Sequence, residues 1–589
     1  MTTAPPVAAG TPAIYRLSIE RFRGIKALSW SPARSVNVIL GGGDVGKTTI
    51  LDAISLLLSS VNTSVLSDTD YHARNIEAGF VIEAIMSLPP GSGINDQLKP
   101  SWPWEWNGAE LSVPNTDDES TPAGEPVYRI RARGTEDLEL AYEIMQPDGS
   151  TDFFPVALRR SIGLVRLSGD DRNDRDLRLV QGSALDRLLS DKGLRSRMAS
   201  ELANSDVKDE LTDAAKKALE DLDTAFKKKS LPDGLDLAIT GGQGPSIASL
   251  VGLTADRNGI RLPLASWGAG TRRLSALAIS EQNQGEAPIS VVDEVERGLE
   301  PYRQRLLMDK LQAGKSQVFV TTHSPATISA ASKASLWYVD HTGQIGPLDV
   351  AKTAKHRKTD PETFLARLAI VAEGATELGF TGALLERSFG SPLEQHGVHV
   401  SDGGGHEATL GLLEALAEGG LQFGGFADDE GGKHPDRWKK LGSKLGQLLF
   451  RWPSLCIEEN VIGAVPDNEL EALLTDPRGE KTGMRLRTLA DRLEITEKDF
   501  ASITSKAGDG LKALIIGAAL GTVPTGKEGE KNQYKSHAGT WFKSVDGGRE
   551  LAGKVFSLGL WPGLKPQLLP FCNAVRKAID LPEMPELPM

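Results

Sequence analysis

From its fourteenth residue the chain alternates apolar and polar side chains through Ile14–Ile25 (IYRLSIERFRGI), the period of a half-buried strand. A β-branched run over Ser35–Leu40 predicts a second strand, and Ile50, Ile54, Leu57 and Leu58 recur on one face of a helix behind it. Between about 60 and 165 the pattern is mixed and mostly strand-like, as at Phe80–Met86 and Val127–Arg133. From about 175 to 235 it turns helical and heavily charged. Val207, Leu211, Ala215, Ala218, Leu222 and Phe226 recur there at helical spacing, with Ser205 as a candidate N-cap. That stretch reads as a helical insertion whose apolar stripe serves either intramolecular packing or a dimer contact. Short apolar strands follow at Pro288–Glu294 and Gln317–Pro325, each next to a helical pattern, and polar residues 341–365 read as a linker. A second series then begins with Leu368–Ala372 and Leu421–Ala427, a helix carrying Trp438, Leu441, Leu445 and Leu448, a candidate strand at Ser454–Val461, and a helical tail from 483. Strands alternating with helices predict an α/β fold with doubly wound, largely parallel sheets and ligand sites at the carboxyl ends of the strands. The expected organisation is a disordered 1–12, a first domain over 13–355 and a second over 356–589.

Composition changes this picture little. The 589 residues are 40% hydrophobic and 25% charged, ordinary for globular domains, and a single core does not grow to this size. No apolar run approaches the length of a bilayer span, and the opening Met1-Thr2-Thr3-Ala4-Pro5-Pro6 has neither a basic nor an apolar leader region, which argues for a cytoplasmic protein. The cysteines are Cys456 and Cys572; two are too few for a disulfide framework or a cysteine zinc site. A net charge of −13 means that any DNA surface is a local basic patch or works through metal ions. Trp102-Pro103-Trp104-Glu105-Trp106 invites a base-stacking reading, but tryptophans packing a small sheet are the commoner case.

The chemistry starts at Asn37–Ile50, where Gly41, Gly46, Lys47 and Thr48 satisfy G-x-x-x-x-G-K-[ST] between a strand and a helix. With Gly43, Asp44 and Thr49, this loop turns backbone N–H groups and a helix N-terminus toward a triphosphate. Lys47 reaches the β/γ-phosphates and Thr48 ligates Mg²⁺, so ATP with one Mg²⁺ is the expected cofactor. Asp293 and Glu294 close an apolar strand; in P-loop ATPases such an Asp joins the Mg²⁺ shell and the Glu polarises the attacking water. Leu299-Glu300-Pro301 follows, and His323 closes the next strand.

Together IERFRGI, the phosphate loop, VVDE and TTHSP resemble an SMC-like, ATP-binding-cassette (ABC) type ATPase. The resemblance implies a homodimer sandwiching ATP. It puts Ser266, Gly268 and Gly270 of Ser266-Trp267-Gly268-Ala269-Gly270-Thr271 in the signature loop, which departs from L-S-G-G-Q, and makes His323 the γ-phosphate sensor.

A second acidic series lies further on. Glu373 and Glu377 are four apart across a strand-to-helix turn and can face one point; Asp428 and Glu430 are two apart at a strand end, with Asp429 between them. Glu458 and Glu459 lie on the next candidate strand. Solvated loop carboxylates are the bland alternative for any one pair; as a set they suit hard cations. In order along the chain they resemble a TOPRIM domain, and the ATPase-then-TOPRIM sequence, with VAEGATE, FADDEGG and IEEN, resembles class 2 of the OLD (overcoming lysogenization defect) nucleases over roughly 14–575. The resemblance implies DNA cleavage with two ions of Mg²⁺ or Mn²⁺, and a catalytic lysine. For that lysine Lys535 stands ahead of Lys543 on motif position. It also implies a setting in phage defence or DNA processing, and a helicase-like partner. A topoisomerase using Tyr534 and a DNA-binding ATPase clamp with an inactive TOPRIM are the alternatives.

Overall fold

The computed structural model describes the chain apart from residues 1–10, 60–65, 95–100, 115–123, 168–174, 181–182, 190, 192–207, 209, 240–250, 283–288, 477–478 and 589, and the side chains of residues 281, 430 and 528. Two compact units result. The first runs to Leu40 and from Gly46 to Trp337; the second takes Gly41–Val45 and Tyr338 onward.

In the first unit, Ala13–Phe22 pairs antiparallel with Ile25–Trp30 and Phe80–Ser87, which in turn pairs with Glu125–Gly134. The alternation works as expected: Ile14, Leu17 and Ile19 are buried, while Glu20 faces out. Beside it lies a parallel sheet in the order Val165–Leu167, Ser290–Val292, Val318–Thr321, Val36–Leu40. Helix Lys47–Leu57 buries Ile50, Leu51, Ile54 and Leu57. Two of the three tryptophans pack: Trp106 is buried with Tyr15, Ile85 and Val127, and Trp104 Nε1 donates to the Met145 carbonyl at 2.8 Å, whereas Trp102 is 61% exposed.

The insertion contains helix Asp213–Lys228, capped by Thr212, whose Oγ1 accepts from the Ala215 amide at 3.4 Å. Ser205 and Val207 of the expected helix lie outside the described residues. The buried face is Ala215, Leu219, Leu222 and Phe226, so Leu219 rather than Ala218 carries the stripe. It packs on helices Ala184–Leu189 and Ala269–Gln282, the intramolecular alternative.

The second unit is built on four parallel strands in the order Val398–Asp402, Leu368–Ala372, Gly424–Ala427, Leu449–Arg451. Leu368–Ala372, buried on both faces, reads as an unbroken apolar run for that reason. Helix Ala375–Phe389 leaves its end and crosses helix Val545–Ser557 closely. A Cβ on Gly379 would sit 1.9 Å from the Val545 carbonyl oxygen, and one on Gly548 would sit 2.1 Å from that of Thr376.

Two expectations need correction. Residues 341–365 are not a linker: helix Val350–Thr359 forms there, because the Asp349 carboxylate accepts from the Ala351 and Lys352 amides at 2.8 Å each. Ser454–Val461 is not a strand either. The strand is Leu449–Arg451, and helix Ile457–Gly463 starts behind it, with Glu458 and Glu459 in its first turn and Glu459 accepting from the Cys456 amide at 3.1 Å. Acidic residues there complement the helix dipole, a local preference stronger than the apolar run.

Candidate nucleotide and cation sites

The phosphate loop has the backbone its motif requires. Gly41, Asp44 and Gly46 take positive φ of 137°, 59° and 96°, and helix Lys47–Leu57 begins at a buried Lys47. Gly43 and Asp44 are exposed and Thr49 is half-buried. Thr48 Oγ1 lies 3.3 Å from Asp293 Oδ1, and Thr321 Oγ1 donates to the same oxygen at 2.6 Å. Residues 245 apart in the chain thus meet at the start of that helix. Arg273 holds the strand end, donating from one guanidinium nitrogen to the Glu294 carbonyl at 2.7 Å and from another to that of Asp293. Glu294 itself takes a positive φ of 47°, uncommon for a side chain of this kind and frequent at functional turns. His323 is held by its amide on Glu296 Oε1 at 2.7 Å; desolvation, helped by the nearby Lys47 charge, keeps its ring below the ordinary histidine pKa and so neutral. In the expected signature loop, Ser266 Oγ donates to the Pro263 carbonyl at 2.7 Å, Gly268 precedes helix Ala269–Gln282, and a Cβ on Gly270 would sit 2.0 Å from the Gly298 carbonyl oxygen.

Arg273, Glu296 and Thr321 were not singled out from the sequence. Glu296 lies two residues past VVDE and Thr321 is the first residue of TTHSP, whereas Arg273 is joined to VVDE only through its bonds to the Asp293 and Glu294 carbonyls.

Residues 111–329 match the family model described as "AAA domain, putative AbiEii toxin, Type IV TA system". This is less than half the chain. With the loop geometry it makes the first unit an α/β P-loop ATPase domain. No curated protein matches the sequence. Among solved structures, the Smc head bound to the C-winged helix domain of ScpA is 16% identical, at TM-score 0.36, covering 58% of this chain and 99% of that one. The Smc head with an extended coiled coil bound to the C-terminal domain of ScpA, derived from Pyrococcus furiosus, is 16% identical at TM-score 0.39, covering 59% and 98%. The recombination mediator protein RecF-ATPrS in the RecFOR pathway is 13% identical at TM-score 0.36, covering 58% and 100%. These superpositions are loose, and the ATPase reading stands on the loop, Asp293 and the family match.

In the second unit a cavity of about 680 Å³ opens at the carboxyl ends of the parallel strands, lined by Glu373, Glu377, Asp402, Asp428, Cys456, Glu458, Glu459 and Lys543 among others. Glu373 ends the central strand, and its Oε2 accepts the Asp428 amide at 3.1 Å. Asp428 Oδ1 accepts the Ile457 amide at 3.0 Å. Glu458 Oε1 accepts from Thr376 Oγ1 at 3.2 Å; the same hydroxyl is 3.2 Å from the Phe542 carbonyl, beside Lys543. Ligand-type atoms of Asp428, Cys456 and Glu458 all lie within 4.8 Å of one another.

Glu373, Glu377, Asp428 and Glu458 are 6%, 7%, 7% and 3% exposed. Burial, then repulsion from Glu458 and Glu373, pushes Glu377 up to about 7. Burial followed by the charges of Glu377, Glu458 and Glu373 pushes Asp428 up to about 9. The Lys543 charge opposes this rise in Glu377 without cancelling it. Four desolvated carboxylates repelling one another are a donor set that fits hard divalent cations, whose attraction to each carboxylate would outweigh the repulsions among them and favour the ionised forms. Cys456 has its thiol pushed up by burial and by Glu458.

The remaining candidates divide. Asp429 turns away, pairing with Arg451 at 2.7 Å. Glu459 lines the cavity while capping its helix. Glu430 opens the turn Glu430–Gly432, and its side chain lies outside the described residues. Of the lysines, Lys543 lines the cavity, whereas Lys535 is exposed on helix Lys531–His537 and does not. Asp402 was overlooked; the Asp-Gly-Gly-Gly run closing strand Val398–Asp402 was its signal. His406 Nδ1 stands 3.5 Å from Glu373 Oε2.

Proposed function

We propose that this protein is an ATP-binding, divalent-cation-dependent DNA endonuclease, in which an ABC-type ATPase unit acts with a TOPRIM-type cleavage unit as in the class 2 OLD nucleases. The observation that carries the reading is the convergence of Glu373, Glu377, Asp428 and Glu458 with Lys543 in one cavity at the strand ends. Glu373, Glu377, Asp428 and Glu458 would hold Mg²⁺ or Mn²⁺, with Glu459 and Glu430 at the margin. The bound ions would supply an activated water and stabilise the leaving oxygen of a phosphodiester. Lys543 contributes a positive charge for the phosphate, and Glu373 keeps its orientation through the Asp428 amide. In the first unit Lys47, Thr48, Asp293, Glu294 and His323 would bind and hydrolyse ATP. The signature residues Ser266, Gly268 and Gly270 would serve the second protomer of a homodimer. Phage defence is the setting we favour, in keeping with the toxin description of the matched family.

A topoisomerase is disfavoured because Tyr534 is 2% exposed and presents no nucleophile to DNA. Among the described residues no helix is long and apolar enough to cross a membrane.

Nicking of supercoiled DNA with Mg²⁺ or Mn²⁺ tests the proposal. Glu373→Ala should abolish nicking while retaining ATP binding. Cleavage undiminished by that substitution overturns it, and absence of divalent-ion binding by the wild type returns the protein to a DNA-binding ATPase clamp.

A further inference from the structure

His406 begins helix His406–Glu418 and is only 9% exposed. Its place is fixed by the backbone: the Gly405 amide donates to the Glu373 carbonyl at 2.8 Å, and Gly405 adopts a φ of 100° that a side chain would strain. The loop after one strand is thereby clamped to the end of its neighbour. That clamp puts the imidazole beside the Glu373 carboxylate.

The chemistry of the ring follows from its two neighbours. Trp438 Nε1 lies 3.4 Å from His406 Nε2, and an indole N–H only donates. Nε2 is therefore the acceptor, and in the neutral ring the proton sits on Nδ1. Nδ1 is buried and has no hydrogen-bond partner, yet it stands 3.5 Å from Glu373 Oε2, within about half an ångström of a charge-assisted bond. The same Oε2 accepts the Asp428 amide. The Asp428 amide already holds that oxygen, and closing the short remaining gap from Nδ1 would bring a second donor onto it and set the rotation of the carboxylate.

We propose that His406 is a positioning residue for cation binding: Trp438 sets its tautomer, and its Nδ1–H orients Glu373. This rests on the cation-site reading given above. Outer partners of ligating groups typically contribute 10–100-fold in metal affinity. A packing role is the rival explanation, since the ring also lies against Trp438 with centroids 5.5 Å apart. Packing would be satisfied by any side chain of similar volume.

Calorimetric titration of Mn²⁺ into the nucleotide-free full-length protein separates the two, using wild type, His406→Asn, His406→Gln and His406→Phe. Asparagine places an amide N–H where Nδ1 stands; glutamine places it near Nε2; phenylalanine keeps the ring without the donor. The expected result is Mn²⁺ affinity within about threefold of wild type for the Asn variant, and a loss of about 10–100-fold for Gln and Phe. Nicking should follow the same order at limiting Mn²⁺ with the KM for DNA unchanged. Equal Mn²⁺ affinity in all four proteins overturns the role of His406 alone, and so does an Asn variant as weak as the Phe variant. A wild type that binds no Mn²⁺ overturns the cation site and this inference with it.

Discussion

Replacing Asp428 by Asn should make the cation-free protein more stable, the reverse of what removing a buried, hydrogen-bonded side chain usually does. Asp428 and Glu458 bring ligand oxygens within 4.8 Å of each other. Two unit charges at that separation repel by about 3.5 kcal/mol at an effective dielectric of about 20. Linkage gives a similar size. A carboxyl with an ordinary pKa of 3.8 that is raised to about 9 in the folded protein is protonated near pH 7 at a cost of about 4 kcal/mol. The sign follows from proton counting: the folded state keeps a proton that the unfolded chain has released, so wild-type stability falls as pH rises from about 4 toward about 9 and levels off above. Asparagine carries no charge and keeps an oxygen for the Ile457 amide. The variant should gain about 2–4 kcal/mol, or roughly 5–10 °C for a unit of this size. Scanning calorimetry of the full chain in chelator, over a pH series, reads this as a gap between variant and wild type that is absent near pH 4 and widens with pH. Added Mg²⁺ should stabilise the wild type and leave the variant nearly unmoved. A cation-free variant that melts at or below the wild type, or an equal response of both to Mg²⁺, would refute the idea that these carboxylates are held together for a cation.

The two lysines should behave differently. Lys543→Ala should cut the nicking rate by about 10²–10³-fold with little change in DNA affinity, as loss of a group stabilising developing charge does; Lys535→Ala should leave the rate at saturating DNA unchanged, and the reverse order in a nicking assay would restore the motif-based choice. Gly270→Ala should lower ATP turnover and destabilise the first unit by about 1–3 kcal/mol, because the new methyl group meets the Gly298 carbonyl oxygen and forces the first turn of helix Ala269–Gln282 away from it; unchanged ATPase activity and melting would show that the contact relaxes freely.

The sequence by itself determined the pieces. The phosphate loop, the VVDE and TTHSP strand ends, the LAIVA strand and the amphipathic helix of Trp438, Leu441 and Leu445 are each specified by residues within a turn or a strand of one another, so their period is readable without neighbours. The failures were local competitions: an apolar IEEN context lost to helix-favouring acidic residues, and a polar segment lost to an Asp349 cap.

What only the tertiary structure decided is which side chains share a point. Glu458 comes within 4.8 Å of Asp428 from a helix start, Asp429 is drawn off by Arg451, Lys543 and not Lys535 lines the cavity, and His406 arrives beside Glu373 because the strand before it is the neighbour of Leu368–Ala372. Such convergence depends on sheet order and on contacts between residues far apart in the chain. Periodicity, which records only the environment of each residue's own element, does not carry it.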